Sequence, residues 1–307
     1  MTHETASTPH TNDCIKSDHR MFFTFDPEKS SFLSGYLGIN VTTITGTLLV
    51  RFTQAIKARK INLYFIGREK VEWVHLRKIK KEKIILKQHE ILWESNNPIG
   101  YELITDLTLP FEFQVPSNAI ESIDSNFGHV QYTLKAVINK KINKKFWIEV
   151  KVPIWRWARP SIEELKPLII KSKSSQQRRH QIEWETILPK TFFDINSNFK
   201  IKLRMIVQDP DLRIKKISGG GSNKQYLYKG ETINGKDVVM TPSGLDTLFE
   251  ANILINIPDD VIPTCKTNYM KIINEIQIKV MFERSNTYVL ITREILIGRN
   301  YETRVEN

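Results

Sequence analysis

The segment Gly230-Glu-Thr-Ile-Asn-Gly-Lys-Asp237 comes within one residue of a phosphate-binding loop. In such a loop backbone N–H groups cradle the phosphates, the lysine reaches the outer ones and a following Ser or Thr holds Mg²⁺. Here Asp237 stands at the hydroxyl position, where its carboxylate would repel a phosphate, and Val238, Val239 and Pro242 continue as strand and turn. Asn234-Gly235 is instead the dipeptide of a tight hairpin turn. Ser218-Gly-Gly-Gly-Ser-Asn223 has no strand-to-helix setting for a dinucleotide and is expected to be a flexible loop.

Nucleophile and metal chemistry fare no better. His3, His10, His19, His75, His89, His129 and His180 are isolated, and none stands four residues from another histidine, so the paired-histidine zinc pattern is missing. There is no Gly-x-Ser-x-Gly elbow, and Cys265 has no cluster of cations to mark it as a nucleophile. His129, beside Gly128, reads as a strand-start residue rather than a general base. No cofactor and no enzymatic activity are expected.

What remains is charge. The chain of 307 residues has a net charge of +11, and residues 57–87 carry 11 basic against 3 acidic side chains. Within and beside that stripe, Lys57, Arg59, Lys60, Lys78, Lys80, Lys81, Lys83 and Lys87 are the candidate contacts. They suit an acidic or phosphorylated protein segment, an anionic membrane surface or nucleic acid, and they equally suit the solvated face of a sheet. A second cluster, Trp155-Arg-Trp157-Ala-Arg159, interleaves rings and cations. It reads either as a base-stacking platform or, better, as a cation–π clamp beside a domain junction.

The elements that must position these groups are strands. Ile44, Gly46, Leu48, Val50 and Phe52 share one face. Phe146, Ile148, Val150, Val152 and Ile154 share another, with Glu149 and Lys151 opposite. Phe199, Ile201, Leu203, Met205 and Val207 oppose Lys200, Lys202 and Arg204. A period of two with one polar face belongs to antiparallel sheets packed on one side. Helix signals are few: Ser161-Ile-Glu-Glu164 is a capping box, and Pro167 ends any helix within about two turns. Chain length suggests two domains.

The divisions expected are a disordered tail at 1–20, a β-sandwich at 21–160, a linker at 161–181, a second sandwich at 182–300 and a tail at 301–307. No apolar run is long enough for a membrane helix, and the N-terminus has no secretory h-region. Two cysteines, Cys14 and Cys265, give no disulfide framework, so a reducing, cytosolic setting is the expectation.

Pro110-Phe-Glu-Phe-Gln-Val-Pro116, a connecting loop, then Gly128-His-Val-Gln-Tyr-Thr-Leu-Lys-Ala136 resembles the N-terminal module of arrestins, above all the α-arrestins or arrestin-domain-containing proteins. Upstream, residues 44–52 and 60–73 resemble that module's glycine-centred strand and the strand after it. Residues 187–207, with Asp194-Ile-Asn196 where the family usually has a Pro-Gly turn, resemble the start of the second module, and 293–298 a closing strand. The resemblance covers roughly residues 30–298.

It implies an all-β fold of two tandem immunoglobulin-like, arrestin-type antiparallel β-sandwiches. It also implies a non-enzymatic adaptor, peripheral to the plasma membrane or endosomes, that binds cytoplasmic segments of membrane receptors or transporters and links them to ubiquitin-dependent endocytosis. An alternative within the fold is a retromer-type sorting subunit; a basic nucleic-acid-binding β protein is the reading from another class. The chain departs from the patterns of the wider family in two ways. It has no Pro-Pro-x-Tyr motif for a HECT-type ubiquitin ligase, and Val150-Lys-Val152 stands where visual and β-arrestins place Arg-Lys-Val.

Overall fold

A computed structural model describes residues 21–26, 29, 31–74, 78–97, 100–140, 145–174, 181–208, 212–222, 227–234, 239–243, 246–283 and 288–305. The expected N-terminal tail, Cys14, and His3, His10, His19, His75 and His180 lie outside them. The chain divides into two compact units between Trp155 and Arg156.

The first unit holds β1 (Met21–Thr24), β2 (Leu33–Ser34), β3 (Thr42–Val74), β4 (Lys78–Glu94), β5 (Glu102–Val115), β6 (Ile123–Ser125), β7 (Gly128–Lys140) and β8 (Lys145–Lys151). Strand β3, 33 residues long, organises it. Its first half pairs with β1 and β5, from Thr42↔Val115 to Ala58↔Glu102. Its second half pairs with β4 on one side and β7 on the other. The apolar phase of the strand switches where these partnerships change. Ile44, Leu48, Val50 and Ala58 are buried at even positions, and Ile61, Leu63 and Phe65 at odd ones, with a register shift between Ala58 and Lys60. An extra residue in a strand turns every later side chain to the other face, so one strand serves both layers of a core.

Across that core Phe65 stacks on Phe113 of β5 and on Tyr132 of β7, ring centroids 5.8 Å apart in each case. Gly67 lets the tyrosine in, since a Cβ there would lie 2.6 Å from Tyr132 Cε1. The long connection after Val115 carries the chain from β5 in the first layer to β7 in the second. It is tied down along its length. Tyr132 Oη donates to the Ile120 carbonyl at 2.6 Å, Ser122 N–H donates to the Ile154 carbonyl at 2.8 Å, and Ile154 N–H donates to Ser122 Oγ at 2.9 Å.

The second unit holds β9 (Trp157–Ala158), α1 (Ile162–Leu165), β10 (Leu168–Lys173), β11 (Ile182–Leu188), β12 (Phe192–Asp194), β13 (Ser197–Val207), β14 (Ile214–Ser222), β15 (Leu227–Asn234), β16 (Val239–Ser243), β17 (Asp246–Ile257), β18 (Cys265–Lys266), β19 (Lys271–Ile272), β20 (Asn274–Phe282), β21 (Tyr288–Asn300) and α2 (Tyr301–Val305). One sheet runs β10-β11-β13-β17-β16 and a second β12-β21-β20-β14-β15. Ile201, Leu203 and Ile253 of the first sheet share a core with Ile217, Ile278 and Ile291 of the second. The fold is all-β and almost wholly antiparallel, the exceptions among the described pairs being β12 and β9, each parallel to β21.

Several sequence expectations change. Ser218–Ser222 is not a loop; it is the end of β14, hydrogen-bonded between β15 and β20. Glycine stands there because the facing sheet comes close: a Cβ on Gly219 would lie 2.5 Å from Ile253 Cγ2. Asn234-Gly235 does not close a hairpin between its flanking strands, because β15 pairs with β14 in one sheet and β16 with β17 in the other; the turn residues from Gly235 lie outside the described ones. The 161–181 segment carries α1 and β10, and β10 pairs with β11 from Leu168↔Leu188 to Lys173↔Glu183. The capping box forms as read, Glu164 N–H donating to Ser161 Oγ and Ser161 N–H to Glu164 Oε2. Residues 301–305, expected as tail, form α2.

Candidate functional site

The eight basic candidates do not share one face. In the second half of β3 the even positions point outward, and the β4 register puts Lys80 opposite Glu72 and Lys87 opposite Ile66 on that same outward face. Lys78 lies opposite Val74; its side chain is outside the description. Lys81 and Lys83 fall opposite Val71 and the fully buried Glu69, on the other face, and both have partners. Lys57 and Arg59 are exposed next to the register shift, and Arg59 passes beside Gly100. The stripe is therefore partly the edge of a sheet. β4 pairs with β3 alone among the described strands, and lysine along an edge keeps foreign strands from adding to it.

Lys60 lands somewhere more interesting. The outward faces of β4, β3, β7 and β8 lie side by side, and their registers stack three rows: His89, Tyr64, Lys135 and Glu149; then Ile91, Asn62, Val137 and Trp147; then Lys60, Asn139 and Lys145. These rows form a depression of about 520 Å³ lined by Lys60, Asn62, Tyr64, His89, Lys135, Val137, Asn139, Lys145 and Trp147. Asn62 is its buried floor, 3% exposed, with Oδ1 3.0 Å from His89 Nε2. The His89 ring stacks on Tyr64 at 4.7 Å.

Trp147 is 52% exposed on the rim, with Lys135 Nζ 4.4 Å from its ring centroid. Glu149 takes Lys135 at 3.1 Å and Arg68 at 3.6 Å, so its charge is matched. Among the described residues Lys60 and Lys145 have no ion-pair partner. The site thus offers two unspent ammonium groups, a buried amide and aromatic walls.

Sequence reasoning placed only Lys60 here. The missed signal was Trp147, an aromatic on the polar side of the alternating strand that also carries Glu149 and Lys151. Tyr64, between Leu63 and Phe65, gave the same sign. The second aromatic and basic cluster resolves differently. Arg159 sits over the Tyr301 ring at 5.2 Å, making the cation–π contact with α2 rather than with the neighbouring tryptophans, while Trp155 is 43% exposed.

No helix among the described residues is long and apolar enough to cross a membrane. No curated protein sequence matches the chain. Residues 22–153 match the family model of the arrestin (or S-antigen) N-terminal domain. The match takes in nearly all of the first unit, including the two-layer strand β3, the Pro110–Pro116 and Gly128–Ala136 segments and the crossover between them; over those residues the chain is similar to the arrestin N-terminal domain.

Proposed function

We propose that this chain is an α-arrestin-like adaptor. Its first unit would bind acidic or phosphorylated cytoplasmic segments of membrane receptors and transporters and link them to ubiquitin-dependent endocytosis. Its second unit would be the arrestin-type C-terminal module, and the protein would work in the cytoplasm against the plasma membrane or endosomes. One observation carries the reading: an arrestin N-terminal domain whose outward sheet gathers Lys60, Lys80, Lys87, Lys135, Lys145 and Lys151 from four adjacent strands. Cations held on a rigid sheet suit a long acidic segment, because the ordering cost falls on the partner alone. Without a Pro-Pro-x-Tyr motif, a HECT-type ligase would have to be met by another surface or through a second protein.

Charge reversal at Lys80 and Lys87, both exposed, tests this. The Lys80→Glu/Lys87→Glu protein should keep its melting temperature and lose roughly tenfold or more in affinity for an acidic tail peptide, with a loss that shrinks as salt rises. Affinity unchanged by the reversal would return these lysines to edge protection. Proximity labelling in cells separates the downstream roles: a ligase and permeases support the adaptor, whereas coat subunits would move the chain to the retromer-type sorting class.

A further inference from the structure

The outward depression is more specific than a basic surface needs to be. Lys60 and Lys145 flank Asn139 in one row across three strands, so their backbones are about 9–10 Å apart. Two lysine side chains reach across that span to a shared anion. One row away, on the same strand as Lys60, lies Asn62. With His89 Nε2–H donating to its Oδ1 at 3.0 Å, the amide NH₂ is left to donate toward the depression. Beside this polar floor stand three rings, and the largest, Trp147, is half exposed, with a cation on one face.

We propose that the depression is a pocket for a phosphorylated tyrosine side chain in an extended segment of a partner protein. The inference rests on the adaptor reading of the first unit and names what this part of it takes. The phosphate dianion would be held by Lys60, Lys145 and the Asn62 amide, charge-assisted contacts of the strong kind. The phenyl ring would cover Trp147 and lie against the Tyr64–His89 stack, burying aromatic surface that is now wet.

Shape decides against the other anions. A phosphoserine is shorter by a benzene ring and would leave its phosphate at the rim, away from Asn62. A flat membrane surface would meet the rim lysines and leave the floor unreached. Nucleic acid presents a track of phosphates, whereas Lys60 and Lys145 flank a single depression.

The test is titration of the full chain with a fluorescent acidic peptide carrying phosphotyrosine, its tyrosine and phosphoserine counterparts, and vesicles containing phosphoinositide. The phosphotyrosine peptide is expected to bind at least about tenfold more tightly than either counterpart. Lys60→Glu/Lys145→Glu and Trp147→Ala should each abolish that preference; all three positions are surface-accessible, and circular dichroism checks the fold. Lys80→Glu/Lys87→Glu should weaken all the peptides alike and leave the preference intact.

Equal binding of phosphorylated and unphosphorylated peptides overturns the pocket while leaving the adaptor standing. Phosphoserine matching phosphotyrosine, or vesicle binding lost in Lys60→Glu/Lys145→Glu with no peptide preference, overturns it too. Failure of every acidic peptide to bind removes the adaptor reading itself.

Discussion

Two carboxylates in the second unit have their proton affinities moved in opposite directions, and the physics of each is local. Burial pushes the Asp194 carboxyl above its ordinary value of 3.8; the Asn300 backbone N–H, donating at 2.6 Å, and the Lys190 charge oppose this without cancelling it. A raised acid binds its proton more tightly folded than unfolded. Its contribution is therefore fully present below the ordinary value and is lost as pH rises through the raised one. Asp194→Asn keeps an oxygen for the Asn300 N–H and removes the titration. In urea unfolding it should gain on the wild type as pH climbs from below about 4 to neutrality, then hold constant. Parallel curves across that range would show the carboxylate carries no cost.

Glu250 behaves inversely: the Arg204 Nε–H donates to it at 2.6 Å and draws its pKa down. Its stabilisation is present above the ordinary glutamate value and is lost as pH falls through the lowered one. Neither direction is legible from the sequence, because Asp194 meets Asn300 only when β12 pairs with β21.

Strands were legible wherever one face was greasy and the other wet, as in Phe199–Val207, whose inward and outward residues fall as the alternation requires. Legibility failed at β14. Ser218-Gly-Gly-Gly-Ser222 has no side chains to alternate, and local propensity disfavours glycine in a strand. The tertiary fold overrides that, since the facing Ile253 and Ile255 leave no room for a larger residue. Gly219→Ala should accordingly lower stability by about 1–3 kcal/mol, as overpacking does, read as a shift in denaturation midpoint at unchanged slope. A neutral result would mean β14 can slide away from Ile253. The phase switch in β3 was visible as apolar residues moving from even to odd positions, yet it looks like noise until both layers are known.

Each unit has its own apolar core, so damage to one need not melt the other. Leu203 is buried at the centre of the second unit's core. Leu203→Ala should cost about 2–5 kcal/mol there and split calorimetric unfolding, one transition dropping while the other keeps its temperature. A single transition shifted as a whole would show that the two cores melt together.

At this scale the amino-acid order alone determined the class. Periods of two and scarce helix signals suffice for an all-β chain, because alternation and turn chemistry act between residues a few positions apart, and the Pro110–Ala136 segments carry the first unit's resemblance to the arrestin N-terminal domain. The depression was settled by folding. Lys60, Asn62, His89, Lys135 and Trp147 are spread over nearly ninety positions. They become neighbours only through pairing registers, which hydrogen bonds and core packing fix between strands distant along the chain.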